Sequence, residues 1–137
     1  MSEKKTLTFA LMDGPFEQAR TVTALRLIDI AARRGYQVNV FAYEGAVGLP
    51  FAKQTKHANA IHGRDAVEED HPLAREWIAG LMRTAAENGG AIEWINCGLC
   101  VDERGMSEAI DGVSRGTPGD LWACAEASDN TLVVGTR

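Results

Sequence analysis

Two short apolar runs, TLTFALM at 6–12 and YQVNVFAY at 36–43, flank a single amphipathic stretch, and this arrangement leaves few folds open. Both runs are rich in strand formers, and the first ends at Asp13-Gly14-Pro15, a turn signal. Between them Val22, Leu25, Ile28 and Ala32 recur at three- and four-residue steps, with Arg20, Arg26, Asp29 and Arg33 interposed. That spacing predicts a helix from Phe16 to Arg34, stopped by Gly35. No hairpin signal separates the strands. Two strands joined through a helix must run parallel, connected by a right-handed crossover.

The alternation continues. Residues 44–70 lack sustained periodicity, and loops of that length usually carry function or meet a partner. Asp70 or His71 is then placed to cap a helix whose first turn carries Pro72 and whose buried face is Leu73, Trp77, Leu81 and Ala85. AIEWIN (91–96) reads as a third strand and AIDGVSRG (109–116) as the site of a short fourth. TPGDLWACAEAS (117–128) reads as a helix with Thr117 as cap and Pro118 first, and TLVVGT (131–136) as the closing strand. The expected fold is a three-layer α/β domain spanning 1–137, with a mostly parallel five-stranded sheet flanked by helices. A chain of 137 residues should bury roughly two-thirds of the surface it exposes when unfolded, so it needs no covalent staple.

Charge and hydropathy exclude several roles. A net charge of −5 argues against a nucleic-acid binder, which needs a basic stripe to neutralise phosphates. Nowhere do eighteen apolar residues run together, and the apolar run before Asp13 is too short for a signal-peptide core. The expectation is therefore a cytoplasmic protein that binds neither membrane nor nucleic acid. In a reducing compartment its 3 cysteines are chemical or buried rather than disulfide staples.

In parallel α/β sheets the working surface lies beyond the C-terminal ends of the strands. Connectivity puts DGPFE, EGAVG and CGLC on that one edge, and with them Asp13, Tyr43, Glu44, Gly45, Cys97 and Cys100. Asp13, Tyr43 and Glu44 could line a cleft there or be ordinary strand-end residues. The cysteines admit two readings: Cys97 is a reactive thiol assisted by Cys100, or both pack as small apolar groups at the base of a turn. Arg104 and the backbone N–H groups of GLCVDERG would favour a thiolate, whereas Asp102 and Glu103 would oppose it. Zinc needs four ligands, and beyond this C-x-x-C only Cys124, His57, His62 and His71 remain, at no recognisable spacing, so no metal is expected. A thioredoxin-like dithiol would sit early in the domain before a long helix, not after the third strand. Cys124, beside Trp122 in an apolar helical stretch, reads as core.

The stretches TLTFALMDGP, VNVFAYEGAVG, CGLCVDERG and GVSRGTPGDLWACAEASDNTLVVG together resemble the DsrE/DsrF-like family, which includes TusD-type sulfur-relay subunits. The most specific element is the cysteine after the third strand followed by an Arg-Gly pair, here Cys97 with Arg104-Gly105. The resemblance implies a flavodoxin-like α/β domain that assembles into trimers or hexamers, works without metal or organic cofactor, and exchanges sulfur with donor and acceptor proteins. It also implies that Cys97 accepts sulfane sulfur as a persulfide, with Arg104 as electrostatic support. Cys100 departs from the single-cysteine relay pattern and is assigned as a resolving or auxiliary thiol. Persulfide formation needs an accessible thiolate, which a strand-end turn is expected to provide. Val47, Leu49 and Phe51, apolar residues in a loop-like stretch, need cover from somewhere, and with the resemblance they motivate the expectation of a homo-oligomer. The alternative is an oligomeric small-ligand-binding or thiol redox-sensing module without sulfur transfer.

Overall fold

The computed structural model describes residues 3–58, 60–69 and 72–136. Five strands form one sheet: β1 (Thr6–Leu11), β2 (Gln37–Ala42), β3 (Ala91–Cys97), β4 (Val113–Gly116) and β5 (Asn130–Val134). The order is β4-β3-β2-β1-β5, and every neighbouring pair is parallel. The chain therefore steps outward from β1 to β4 and then crosses back over the sheet to lay β5 on the far side of β1.

Helix α1 (Ala19–Arg33) buries Thr21, Ala24, Leu25, Ile28, Ala31 and Ala32. It begins later than the apolar spacing predicts, because Phe16 takes a left-handed backbone with φ of 63° and holds the chain in a turn. Val22, expected on the buried face, is exposed, since the three-residue steps from Val22 to Ile28 drift round the helix and leave it at the stripe's edge. After a short helix α2 (Ala66–Glu69), helix α3 (Ala74–Glu87) starts behind Leu73 rather than with Pro72 in its first turn. Asp70 and His71, the expected caps, lie outside the described residues. Ile78, Leu81 and Ala85 of α3 pack inward, and α1 and α3 lie side by side on one face of the sheet, over a fully buried Trp94. A further helix, α4, follows β3 directly over Gly98–Arg104. Helix α5 (Pro118–Glu126) follows Thr117 as expected, with the Asp120 carboxylate accepting the Thr117 N–H at 2.7 Å. It covers the opposite face, where the Thr8 hydroxyl donates to the Cys124 carbonyl at 3.3 Å.

The irregular stretch after β2 is more ordered than its sequence suggests. A 3-10 helix at Glu44–Gly48 buries Ala46 and Val47, and Leu49 is buried behind it. The chain beyond is tied down by Ala52 N–H to Glu108 O at 2.8 Å and Ile110 N–H to Pro50 O at 3.0 Å. The Gln54 amide donates to both Gly48 O and Leu49 O at 2.7 Å. The cover that Val47 and Leu49 need thus comes from their own chain, so these two residues do not argue for a second copy.

Candidate functional site

Cys97 is the last residue of β3, and the stretch expected to be an open turn is instead the helix α4. Gly105 ends that helix in a left-handed conformation, φ 63°, which glycine adopts without a Cβ clash. Because the chain winds into a helix at once, Cys100 and Val101 turn inward against the core. Both thiols are consequently buried, Cys97 at 3% and Cys100 at 5% exposure, where an open turn would have left them accessible.

The sulfurs are joined to each other and to the strand-end backbone. Cys100 shares a side-chain hydrogen bond with Cys97, and its sulfur accepts the Glu44 N–H at 3.2 Å. Glu44 reaches this position with φ of 52°, a left-handed backbone that costs a non-glycine residue roughly 1–2 kcal/mol. Gly45 lets the β2 end close against the β1 end, since a Cβ there would lie 3.2 Å from Gly14 N. Burial, and next the bond to Cys97, push the Cys100 thiol above its ordinary 9.0, with the Glu44 N–H pulling the other way. Cys100 therefore keeps its proton at neutral pH. Cys97 itself makes no cap bond to the α4 backbone, so the N–H groups expected to favour its thiolate are not used that way.

Arg104 does not bond either thiol. One guanidinium nitrogen meets Glu44 at 2.9 Å, and the other donates to the Cys100 carbonyl at 3.4 Å and lies 3.8 Å from Glu103. The Glu44–Arg104 pair so closes the rim between the β2 end and α4. The far side of α4 is clamped by Arg115, which donates to the Gly98 carbonyl at 2.9 Å and pairs with Asp102 at 2.9 Å. Arg115 escaped the sequence reading; its signal is its place in the fourth strand, one residue before Gly116, which pairs with Cys97. Tyr43 stacks on Phe41 with ring centroids 6.3 Å apart. Its hydroxyl is raised by the charges of Glu44, Cys100 and Cys97 in turn, with burial ranking third among the causes. Tyr43, Glu44, Cys97, Cys100 and Arg104 therefore come together. Asp13 shares the edge, but among the described residues no hydrogen bond links it to the thiols, and one of its carboxylate oxygens is buried without a partner. Cys124 is half-buried on α5, whereas Trp122 beside it is exposed.

The raised Cys100 value has a measurable sign. The folded protein holds this proton more tightly than the unfolded chain, so the stability it contributes is complete below the ordinary thiol range and is lost as pH climbs through the raised value. Above about pH 9 the urea midpoint of the wild type should fall more steeply than that of Cys100→Ser. Cys124 is raised alike in both proteins, and Tyr43 keeps its leading cause, Glu44, in both, so parallel curves would refute the assignment.

Among the described residues no three His, Cys, Asp or Glu side chains gather in a group able to hold a metal ion; His71 lies outside them. Nor is any described helix long and apolar enough to cross a membrane. Residues 5–134 match the profile of the DsrE/DsrF-like family. An uncharacterized protein of Methanocaldococcus jannaschii is 28% identical over 127 residues, covering 91% of this chain and 96% of its own. Another, from Methanopyrus kandleri, is 29% identical over 128 residues, covering 92% of this chain and 91% of its own. The crystal structure of the ychN protein from E. coli superposes with a TM-score of 0.73 over 95% of this chain and 99% of that one, at 18% identity.

Proposed function

The chain belongs to the DsrE/DsrF-like family, and from that premise we propose that it carries sulfane sulfur as a persulfide on Cys97 and hands it to a partner thiol. The observation that supports this reading is the asymmetry of the dithiol. Cys100 is raised by burial and is therefore a weak nucleophile at neutral pH, which leaves Cys97, fixed at the end of β3, as the acceptor. In the loading step the Cys97 thiolate attacks the outer sulfur of a donor persulfide. The donor's S–S bond breaks, its electron pair leaves as a thiolate that takes up a proton, and Cys97 holds the new S–S bond. A partner thiolate then attacks the outer sulfur and Cys97 leaves as a thiolate. No net oxidation occurs, and thiolates alone make and break these bonds, so neither metal nor organic cofactor is called for. A protonated Cys100 is a poor nucleophile and expels sulfide from the persulfide only slowly; it acts as an auxiliary thiol.

Access depends on the rim. The Glu44–Arg104 pair is part-exposed, and such pairs contribute about 0–1 kcal/mol, so donor and acceptor proteins in the cytoplasm can open it on docking. Loading of single-cysteine variants, read by intact mass, tests the reading. The same Cys97–Cys100 contact favours a second reading, a redox sensor in which an oxidant joins the two sulfurs.

The carrier is also proposed to be a homo-oligomer, a trimer or hexamer. β5 is an edge strand whose residues Asn130–Val134 include neither charge nor proline, the usual guards of a free edge. Leu132 and Val133 on it are exposed, as are Leu27 and Ile30 of α1, which line with Leu132 an apolar hollow of about 240 Å³. Light scattering at micromolar concentration should give a multiple of the chain mass for the wild type and a smaller species for Leu132→Glu. A wild-type monomer would refute the assembly.

A further inference from the structure

We propose that the Tyr43 hydroxyl donates a hydrogen bond to the outer sulfur carried on Cys97 and so forms the sulfur-binding half of the site. The inference rests on the carrier reading and adds to it a residue that binds the cargo. Its first support is register. β2 and β3 pair Phe41 with Ile95 and Ala42 with Asn96, and that register, carried one residue past the end of β2 through the extended Tyr43, sets Tyr43 opposite Cys97. Side chains alternate across a strand, which puts Tyr43 and Cys97 side by side on one face of the sheet, as Phe41 and Ile95 are.

The second support is that the ring is held while its hydroxyl is free. The Tyr43 N–H donates to Leu11 O at 2.8 Å, and the ring stacks on Phe41 at an interplanar angle of 25°. Among the described residues the hydroxyl itself makes no hydrogen bond. The third support is the commitment of the other donors near the thiols. The Glu44 N–H is taken by the Cys100 sulfur, and Arg104 by Glu44 and the Cys100 carbonyl. The Cys100 side chain is hydrogen-bonded to Cys97, at the inner sulfur.

A persulfide anion places its charge on the outer sulfur, which is best stabilised by a donor besides those engaged by Cys100 and by the rim. Tyr43 is suited to supply it. The Glu44 carboxylate and the two thiols keep the phenol protonated, so towards an anion it can only donate. No bond to Tyr43 is made or broken, and the transfer chemistry balances as written for Cys97.

The test compares wild type with Tyr43→Phe, which retains the ring and its stack on Phe41. After loading with inorganic polysulfide, whose terminal sulfur Cys97 takes while a shorter polysulfide leaves, intact mass reports the sulfur and ultraviolet absorption reports the persulfide anion. Losing one hydrogen bond is expected to leave loading at Cys97 possible but to shorten the persulfide lifetime about threefold to tenfold, with a shifted absorption band. An unchanged lifetime and band, in a variant with the wild-type melting temperature, would overturn the proposal while leaving the carrier reading standing. A wild type that takes up no sulfur would overturn both. A second measurement needs no substitution: the sequence has 2 tyrosines, Tyr36 and Tyr43, so 3-fluorotyrosine labelling yields two fluorine resonances. Loading should move the Tyr43 resonance and leave that of Tyr36 in place. A spectrum in which neither moves refutes the contact.

Discussion

Incubated with a sulfane-sulfur donor, the wild-type protein and Cys100→Ser should gain mass in steps of one sulfur atom, and Cys97→Ser should gain none. This is the largest functional effect expected, because a persulfide on Cys97 has no substitute acceptor: Cys100 is held protonated by burial and by its bond to Cys97. In Cys97→Ser that bond is changed but the burial remains, so Cys100 stays a weak nucleophile at neutral pH. In Cys100→Ser the Glu44 N–H keeps an acceptor in the serine oxygen, and the nearest thiol able to expel sulfide from the persulfide is gone. The persulfide of that variant should therefore last longer than that of the wild type. A redox sensor would behave differently. It would form the internal disulfide under mild oxidant, lose that ability in either single variant, and take up no sulfur. Mass gain confined to Cys97→Ser would invert the roles of the two thiols. If neither thiol reacts with donor or alkylating agent in the folded state, the 3% and 5% exposures describe a closed core and both chemistries fail.

Trp94→Ala should produce the largest loss of stability. Trp94 is the largest of the fully buried side chains, and removing a buried tryptophan typically costs about 3–5 kcal/mol, through lost transfer energy and the cavity left behind. Its ring also organises the way into the site. The indole N–H donates to Asn96 Oδ1 at 3.2 Å, and the Asn96 amide donates to Val47 O at 3.4 Å. Val47 belongs to the 3-10 segment that begins with Glu44. Without the indole, Asn96 loses a partner in the core and the segment carrying the Glu44 N–H is held less firmly. Urea unfolding should show the drop in stability, and Cys100 should be alkylated faster in native buffer, out of proportion to the global loss. A fall below about 1 kcal/mol, or unchanged alkylation, would contradict this role for Trp94.

Much of the fold was readable because local rules and burial agree. The runs at 6–12, 36–43 and 91–96 combine strand formers with near-continuous apolar character, and each became a central strand covered on both faces. Thr117 and Pro118 mark a helix start by their own backbone chemistry, and α5 begins there. The strand order was not readable. Every strand–helix–strand unit is compatible with stepping left or right, and only the packing of α5 over Thr8 on the face opposite α1 places β5 next to β1.

The site divides along the same line. Asp13, Tyr43, Glu44, Gly45 and Cys97 could be assigned to one edge because position at the end of a parallel strand follows from connectivity alone. Their contacts could not be assigned. Gly98-Leu99-Cys100 looks like a turn from its flanking glycine, yet helical backbone wins because Cys100 and Val101 then bury against the core. Arg104 lies close to the thiols in sequence, but its guanidinium meets the carboxylate of Glu44, sixty positions away, through one charge-assisted bond at 2.9 Å. The sequence thus determined which elements form, and that two thiols stand at a strand's end, since those depend on neighbours a few residues apart. Tertiary structure alone decided that both sulfurs are buried, that the Cys100 thiol is raised, and which donors face them, because burial and hydrogen bonding across 56 residues, as from Glu44 to Cys100, exist only once the sheet has assembled.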